Sequence, residues 1–249
     1  MEKHKSKGKR YVYSFGNGRA DGDGKMKDLL GGKGAGLAEM TNLGIPVPPG
    51  FTISTDACRE YTVSGRKLPK KVHEECLAGL RRLERACGRR LGDEKDPLLV
   101  SVRSGAKFSM PGMMDTILNL GLNERTAIGL IGQTKDERFV WDSYRRFIAM
   151  FSDVVLKIQK KKFEEKLAEL KRKYGRAQDV ELTAEEMKDV VKEFRALVLR
   201  ETGKEFPQDP LQQLCSARDA VFDSWNNDRA IFYRKQYSIP GDLGTGVNI

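Results

Sequence analysis

The sequence predicts an α+β fold, and three observations carry that prediction. Short β-type runs stand in the first half, at 11–15 (Tyr-Val-Tyr-Ser-Phe), 51–54 (Phe-Thr-Ile-Ser) and 98–102 (Leu-Leu-Val-Ser-Val). From residue 122 onward, apolar residues recur at helical spacing for most of the remaining chain. The length of 249 residues, with 39% apolar and 32% charged content, suits a protein with a sizeable core, in one large domain or two small ones.

The elements follow in order. Residues 11–15 alternate and are rich in aromatic and β-branched types, so they form a first strand. Residues 16–24 hold four glycines in nine positions and form a loop; Asp21 and Asp23 lack the spacing and terminal glutamate of a calcium loop. Leu37, Met40 and Leu43 lie at helical spacing, which predicts a helix from near Gly34 to Gly44. Gly32, Lys33 and Gly34 then stand at a helix start, where free N–H groups and the dipole favour an anion and the lysine adds a full charge. This is no Walker A loop, because no glycine stands five residues before Gly32 and Gly34 replaces the required Ser or Thr. Taken alone, Gly-Gly-Lys-Gly also makes a good turn.

The prolines of 45–50 lead into the strand at 51–54, and Thr55 is expected to cap a helix running through Ala57 and Tyr61. A second helix spans 69–87 with Val72, Cys76, Leu80, Leu83 and Cys87 on its apolar side and Gly79 inside it; Gly88 and Gly92 end it. The run at 98–102 reads as a buried strand that delivers Arg103 at its end. A loop with Gly105, Pro111 and Gly112 follows, carrying Ser104 and Ser109 as small donors. A guanidinium beside a small-residue loop holds phosphate well, because it combines charge with a two-pronged donor. The same residues also make a plain buried strand, a tight loop and a surface arginine.

After Gly121, Asn123 caps a helix over 124–132, and 137–156 carries a wide apolar face with Phe139, Val140, Tyr144, Phe147, Ile148, Phe151, Val154 and Val155. Trp141, Arg145 and Arg146 fall off that face, the arginines most simply in ion pairs with nearby acids. Residues 157–174 are strongly charged, with Ile158, Phe163, Leu167 and Leu170 as a narrow stripe. Thr183-Ala-Glu-Glu186 is a capping box for a helix to about Thr202, stopped at Gly203. These two helices are expected to form an exposed hairpin. A last amphipathic helix spans 210–225.

The net charge is +10, and two stretches account for it: residues 1–10 carry +4 and residues 157–176 carry +6. The first reads as a disordered basic tail and the second as one solvated helix face. Neither spreads basic residues among aromatics over a folded surface, so no nucleic acid is expected as partner. No apolar run is long enough to span a membrane, and the basic N-terminus has no apolar segment behind it. Cys58, Cys76, Cys87 and Cys215 form no Cys-x-x-Cys pair, and with only His4 and His73 there is no zinc pattern; reduced cysteines in a cytoplasmic protein are expected.

Ser101-Val-Arg-Ser-Gly-Ala106, followed by Ser109-Met-Pro-Gly-Met-Met-Asp-Thr-Ile-Leu-Asn-Leu-Gly121, resembles the N-terminal nucleotide-binding domain of the pyruvate, phosphate dikinases. The related phosphoenolpyruvate synthases share the Val-Arg-Ser core but not the Met-Pro-Gly-Met-Met-Asp-Thr run. The Ser224-Trp-x-x-x-Arg-Ala230 segment and the last residues, 239–249, continue the resemblance, with Gly246 in place of an alanine. It covers nearly everything from Tyr11 to Ile249.

The resemblance implies an incomplete ATP-grasp-like nucleotide-binding domain, built as a mixed-sheet lobe with an inserted helical subdomain. The expected division is a tail over 1–10, a first lobe with phosphate-binding loops over 11–121, a helical subdomain over 122–205 and a helical return to the first lobe over 206–249. A further lobe, with the adenine pocket and the carboxylates for Mg²⁺, is expected after the chain ends, followed by phosphohistidine and pyruvate-binding domains. Neither His4 nor His73 resembles the phosphorylated histidine. By resemblance, Lys33 and Arg103 contact the ATP phosphates, and Gly32, Gly34, Ser104, Ser109, Met110, Gly112, Asp115 and Thr116 belong to the loops around them. Asp115 faces two readings, a contact to Mg²⁺ or phosphate and an aspartate bonding its own turn. Met110, Met113 and Met114 are expected to pack the loop. No catalytic residue and no metal ligand is assigned within the chain, and the full-length parent is expected to be a homodimer. The parent reaction is ATP + phosphate + pyruvate to AMP + diphosphate + phosphoenolpyruvate, and the chain alone is expected to be inactive. Two alternatives stand beside it: a phosphoenolpyruvate synthase-like half-site, and a non-catalytic module that uses the basic helix over 157–176 on an acidic partner.

Overall fold

The structure, a computed structural model, describes residues 9–249. The expected tail therefore lies outside the described residues over 1–8. Its last two positions are not free: Lys9 pairs with Glu60 at 2.9 Å and Asp56 at 3.3 Å, and Arg10 pairs with Asp21.

The chain opens with β1 (Val12–Phe15), α1 (Lys27–Asn42), β2 (Gly50–Ile53), α2 (Thr55–Val63) and α3 (Lys70–Cys87). It continues with β3 (Arg90–Leu91), β4 (Pro97–Leu98), β5 (Val100–Gly105) and β6 (Thr116–Leu120). Then come α4 (Glu124–Thr134), α5 (Glu137–Val154), α6 (Lys160–Tyr174), α7 (Ala184–Thr202), α8 (Pro210–Ser224), α9 (Asp228–Gln236) and β7 (Gly246–Asn248). The α+β expectation holds.

The five-stranded sheet has the order β1-β2-β7-β5-β6, and each pairing in it is antiparallel. The expected mixed sheet is corrected on this point: among the described residues parallel pairing occurs only in the separate β3–β4 ladder. The return from residue 206 is not purely helical either. Its last strand, β7, enters the middle of the sheet, where it pairs with β2 and β5 at once.

Strand alternation divides the sheet into two faces. Val12, Phe51, Ile53, Val102, Ile117 and Val247 point into the large core with α3, α5 and α8. Tyr13 turns the other way and packs with Leu30, Ala35 and Ala38 of α1. Gly79 lets α3 lie flat on the sheet, because a Cβ there would stand 3.0 Å from Val12 and 3.2 Å from Phe51.

The helical half is one interior. Tyr144, Phe147 and Phe151 of α5 surround Phe206 with ring centroids 5.4 to 6.4 Å from it. The α5 face is rotated from the one expected: Trp141 is buried and Phe139 exposed, because α7 covers the Trp141 side. The expected exposed hairpin is also corrected. Met187, Val190, Val191, Phe194, Leu197 and Val198 of α7 are all buried, and α7 packs along α5. The cap at Asn123 and the capping box at Thr183 form as expected, and Asn123 also closes a box with Thr126. Thr55 does not cap α2, since Ser54 holds that position and the Thr55 hydroxyl donates to the Asp28 carbonyl at 2.7 Å. Among the described residues no helix is long and apolar enough to cross a membrane, and all four cysteines are unpaired.

Candidate functional site

The site begins at a break. Gly31 takes φ 69° and ψ 171° inside α1, so a fresh helix start faces the end of β5 at Gly32 and Lys33. The crossing demands glycine: a Cβ on Gly31 would lie 1.4 Å from the Gly105 carbonyl oxygen. Gly32 N–H donates to the Ala106 carbonyl at 2.9 Å, which fastens the break to the strand end. Asn248 of β7 fills the space beside it. Its Oδ1 accepts from the Thr52 hydroxyl at 2.8 Å, and its side chain occupies the positions where Cβ atoms on Gly34 and Gly105 would stand.

Arg103 lies within β5, one residue beyond the run that predicted the strand, and Ser104 and Gly105 are strand residues too. The loop proper therefore spans 106–115. Arg103 pairs in register with Thr116 of β6, and Val102 with Ile117. Since Val102 and Ile117 point into the core, Arg103 and Thr116 point to the α1 face, where Lys33 stands. Lys33 Nζ donates to the Ser104 carbonyl at 3.0 Å. Burial first, and the neighbouring Arg103 charge second, hold its pKa below the ordinary lysine value. Among the described residues the Arg103 side chain makes no ion pair, and neither cation meets a carboxylate.

Beside Lys33 opens a cavity of about 480 Å³ lined by Gly32, Lys33, Ser104, Thr116 and the loop from Ala106 to Gly112, with Met114. Its lining holds no acid. Of the expected site residues, the fold thus gathers Gly32, Lys33, Ser104, Ser109, Met110, Gly112 and Thr116 around one cavity, with Arg103 at its side. Gly34 is buried beneath it against Thr52.

Asp115 is turned away. It precedes Thr116 and so faces the opposite side of β6, where its carboxylate stands 3.6 Å from Arg229. Burial raises its pKa, against the pull of Lys157 and Arg229. Met110 is buried, and Met113 and Met114 pack against the core, as the loop-packing expectation has it. Sequence reasoning assigned no role to Lys107 and Phe108 in the lining, or to Asn227, whose Nδ2 donates to the Met113 carbonyl at 3.0 Å. Lys107 could have been noticed as a third cation between Gly105 and Ser109. Asn248 and Asn227 carry no such signal, because their neighbours come from far along the chain.

Arg145 and Arg146 do not reach the cavity; both pair with Asp142, and Arg145 also with Asp179. Among the described residues no group of three or more His, Cys, Asp or Glu is arranged to hold a metal ion.

A glycine-broken helix start, two cations without acids and a small-residue loop beside one cavity make an arrangement chemically suited to anions. Comparison with known proteins narrows that class. Residues 27–78 and 62–249 match the family described as "Pyruvate phosphate dikinase, AMP/ATP-binding domain", and the chain belongs to this family. It is 52% identical over 238 residues to pyruvate, phosphate dikinase 1, chloroplastic, of Arabidopsis thaliana, which covers 96% of this chain and 25% of that protein. It is 50% identical to the pyruvate, phosphate dikinases of Rhizobium meliloti and Clostridium symbiosum, covering 96% of this chain and 27% of each of them. The chain thus spans about a quarter of the length of the curated relatives it matches.

Proposed function

We propose that this chain is the ATP-binding part of a pyruvate, phosphate dikinase, and that the cavity beside Lys33 and Arg103 receives the polyphosphate of ATP. The observation that carries this reading is the pairing of two cations with a cavity whose lining contains no carboxylate. Burial first and the Arg103 charge second lower the Lys33 pKa, and an anion beside the two positive groups offsets both costs. Ser104, Ser109 and Thr116 and the loop around Gly112 add hydroxyl and backbone donors. In this reading the domain is an ATP-grasp-like half-site, divided at residues 121 and 205 as its sequence suggests, and the adenine pocket lies on a further lobe.

The reaction assigned to the complete enzyme converts ATP, phosphate and pyruvate to AMP, diphosphate and phosphoenolpyruvate through a phosphohistidine. The partners are then its phosphohistidine and pyruvate-binding domains, in a homodimer. The part played by this chain is to bind, orient and neutralise the phosphates, which is most of what a protein contributes to phosphoryl transfer. Magnesium accompanies ATP in such chemistry, but the lining offers it no carboxylate and Asp115 faces Arg229 instead. Its protein ligands are therefore assigned outside this chain, and no step is routed through it. A cytoplasmic location rests on composition alone, and the Arabidopsis relative bears a chloroplast designation.

Calorimetric titration of Mg-ATP into the chain, beside the double variant Lys33→Ala and Arg103→Ala, tests the site. Affinity should fall about 100-fold or more, since charge-assisted hydrogen bonds to two cations are lost. Equal binding by both proteins, with circular dichroism unchanged, would overturn the assignment.

A further inference from the structure

Three cations stand at the cavity, and they are not alike. Lys33 meets only a carbonyl, and Arg103 meets no acid. Lys107 alone has a carboxylate: its Nζ lies 2.5 Å from Asp28 Oδ1. Asp28 sits in the first turn of α1, before the break at Gly31, and its side chain is 76% exposed. Lys107 is half-buried just before the exposed part of the loop, with Nζ 5.6 Å from the ring centroid of Phe108. The far arm of the loop is held separately, by Asn227 on the Met113 carbonyl and Arg229 near Asp115. Phe108, Ser109, Pro111 and Gly112 lie exposed between these two tethers.

We propose that Lys107 is a third cation for the bound polyphosphate, kept aside by Asp28, and that an incoming phosphate group takes Lys107 from Asp28 and draws the loop over the cavity. The inference rests on the reading of the cavity as a phosphate site. The physics is one of exchange. An exposed lysine–carboxylate pair holds weakly, because water screens both charges and two long side chains must be ordered. A phosphate group carries more charge and more acceptor oxygens than Asp28, and a lysine meets it as a mobile point charge. Without an anion, Lys33 and Arg103 repel a third positive group, and Asp28 supplies the place where it rests. With an anion between them the repulsion becomes attraction, and the tether on the near arm of the loop opens. No covalent bond changes.

Inorganic tripolyphosphate, titrated without metal into the ¹³C-lysine-labelled chain at physiological ionic strength, reads the exchange directly, because it needs no adenine pocket. The Cε resonances of both Lys33 and Lys107 should move together. Asp28→Asn should bind tripolyphosphate about 5-fold tighter and Lys107→Met about 5-fold weaker, in keeping with one exposed charge pair gained or lost. In the Lys107→Met background, Asp28→Asn should then change nothing, since the two residues act as one unit. If Lys33 moves while Lys107 does not, or if Asp28→Asn tightens binding equally with and without Lys107, this inference fails and the cavity reading stands. If neither lysine moves, the cavity reading fails and this inference falls with it.

Discussion

Lysines of α6 and the cations of the cavity carry the same formal charge in opposite circumstances. On α6, Lys160 meets Glu164 at 3.0 Å, Lys161 meets Glu165 at 3.6 Å, and Lys166 meets Glu169 at 2.7 Å. Lys171 meets Asp179 at 2.9 Å, and Lys162 pairs with Glu201 of α7. At the cavity, Lys33 has a carbonyl and Arg103 has no acid among the described residues. A count of charge along the chain singles out α6, whereas matching each charge to its neighbours singles out the cavity. The difference weakens the support for a module that uses its basic helix on an acidic partner, since most lysines of that face already meet a carboxylate. An unmatched cation is a standing cost in the free protein, and it is the one that gains when an anion arrives.

The harshest way to break this comparison is to move the cavity itself. Gly31→Ala puts a Cβ into the Gly105 carbonyl and forces a left-handed conformation on alanine. It should destabilise the protein by at least ~2 kcal/mol in denaturant titration and abolish Mg-ATP binding. A protein of unchanged stability would mean that the break at Gly31 is incidental.

A pH series sharpens the contrast. Lys33 has a lowered pKa in the free protein, and an anion favours its charged form, so binding takes up protons as pH rises. Mg-ATP affinity should therefore weaken with rising pH already below the ordinary lysine range. Lys33→Arg should flatten that dependence, because a guanidinium stays charged. A slope that persists in the arginine variant would assign the titration elsewhere.

The loop tether has a smaller effect. Asn227 caps α9 by accepting from Ala230 N–H at 2.7 Å while it holds the Met113 carbonyl. Asn227→Ala should lower stability by about 1 kcal/mol for the lost cap and increase amide exchange around Met113. Exchange unchanged at Met113 would show that the loop does not depend on this residue.

Smallest of all should be Lys160→Ala, Lys161→Ala and Lys162→Ala together. The unfolding midpoint should stay within about 2 °C and Mg-ATP binding should not change, because exposed pairs on a helix contribute little. A marked loss of either would erase the distinction between the two sets of cations.

Local rules read much of this chain correctly. The strands at Phe51 and Val102, the caps at Asn123 and Thr183, the stops at Gly88 and Gly203, and the stripe of Phe163, Leu167 and Leu170 follow from spacing and turn chemistry. Reading failed where partners set the outcome. Trp141 is buried because α7 lies on its side of α5, a fact absent from the periodicity of α5 itself. The strand β7 consists of Gly246, Val247 and Asn248, a turn-like composition, and it is a strand because β2 and β5 leave a gap that satisfies its backbone. Of the candidate site, Lys33, Arg103 and the loop glycines were singled out by residue type and spacing alone, and the fold brings Gly32, Lys33 and Gly112 to one cavity. Asp115 was misplaced because alternation on β6 starts at Thr116, and a one-residue difference changes the face.

By itself, then, the sequence determined the α+β class, the helix boundaries that caps and glycines mark, and the residue types suited to holding phosphate, because each depends on neighbours within a few positions. Only the tertiary structure decided that Gly31 must lie against Gly105, that Asn248 fills the space between α1 and β5, that most α6 lysines meet a carboxylate and that Lys33 of the cavity does not. Those outcomes depend on groups distant along the chain, and a charge or a missing Cβ acquires its meaning from what the fold sets beside it.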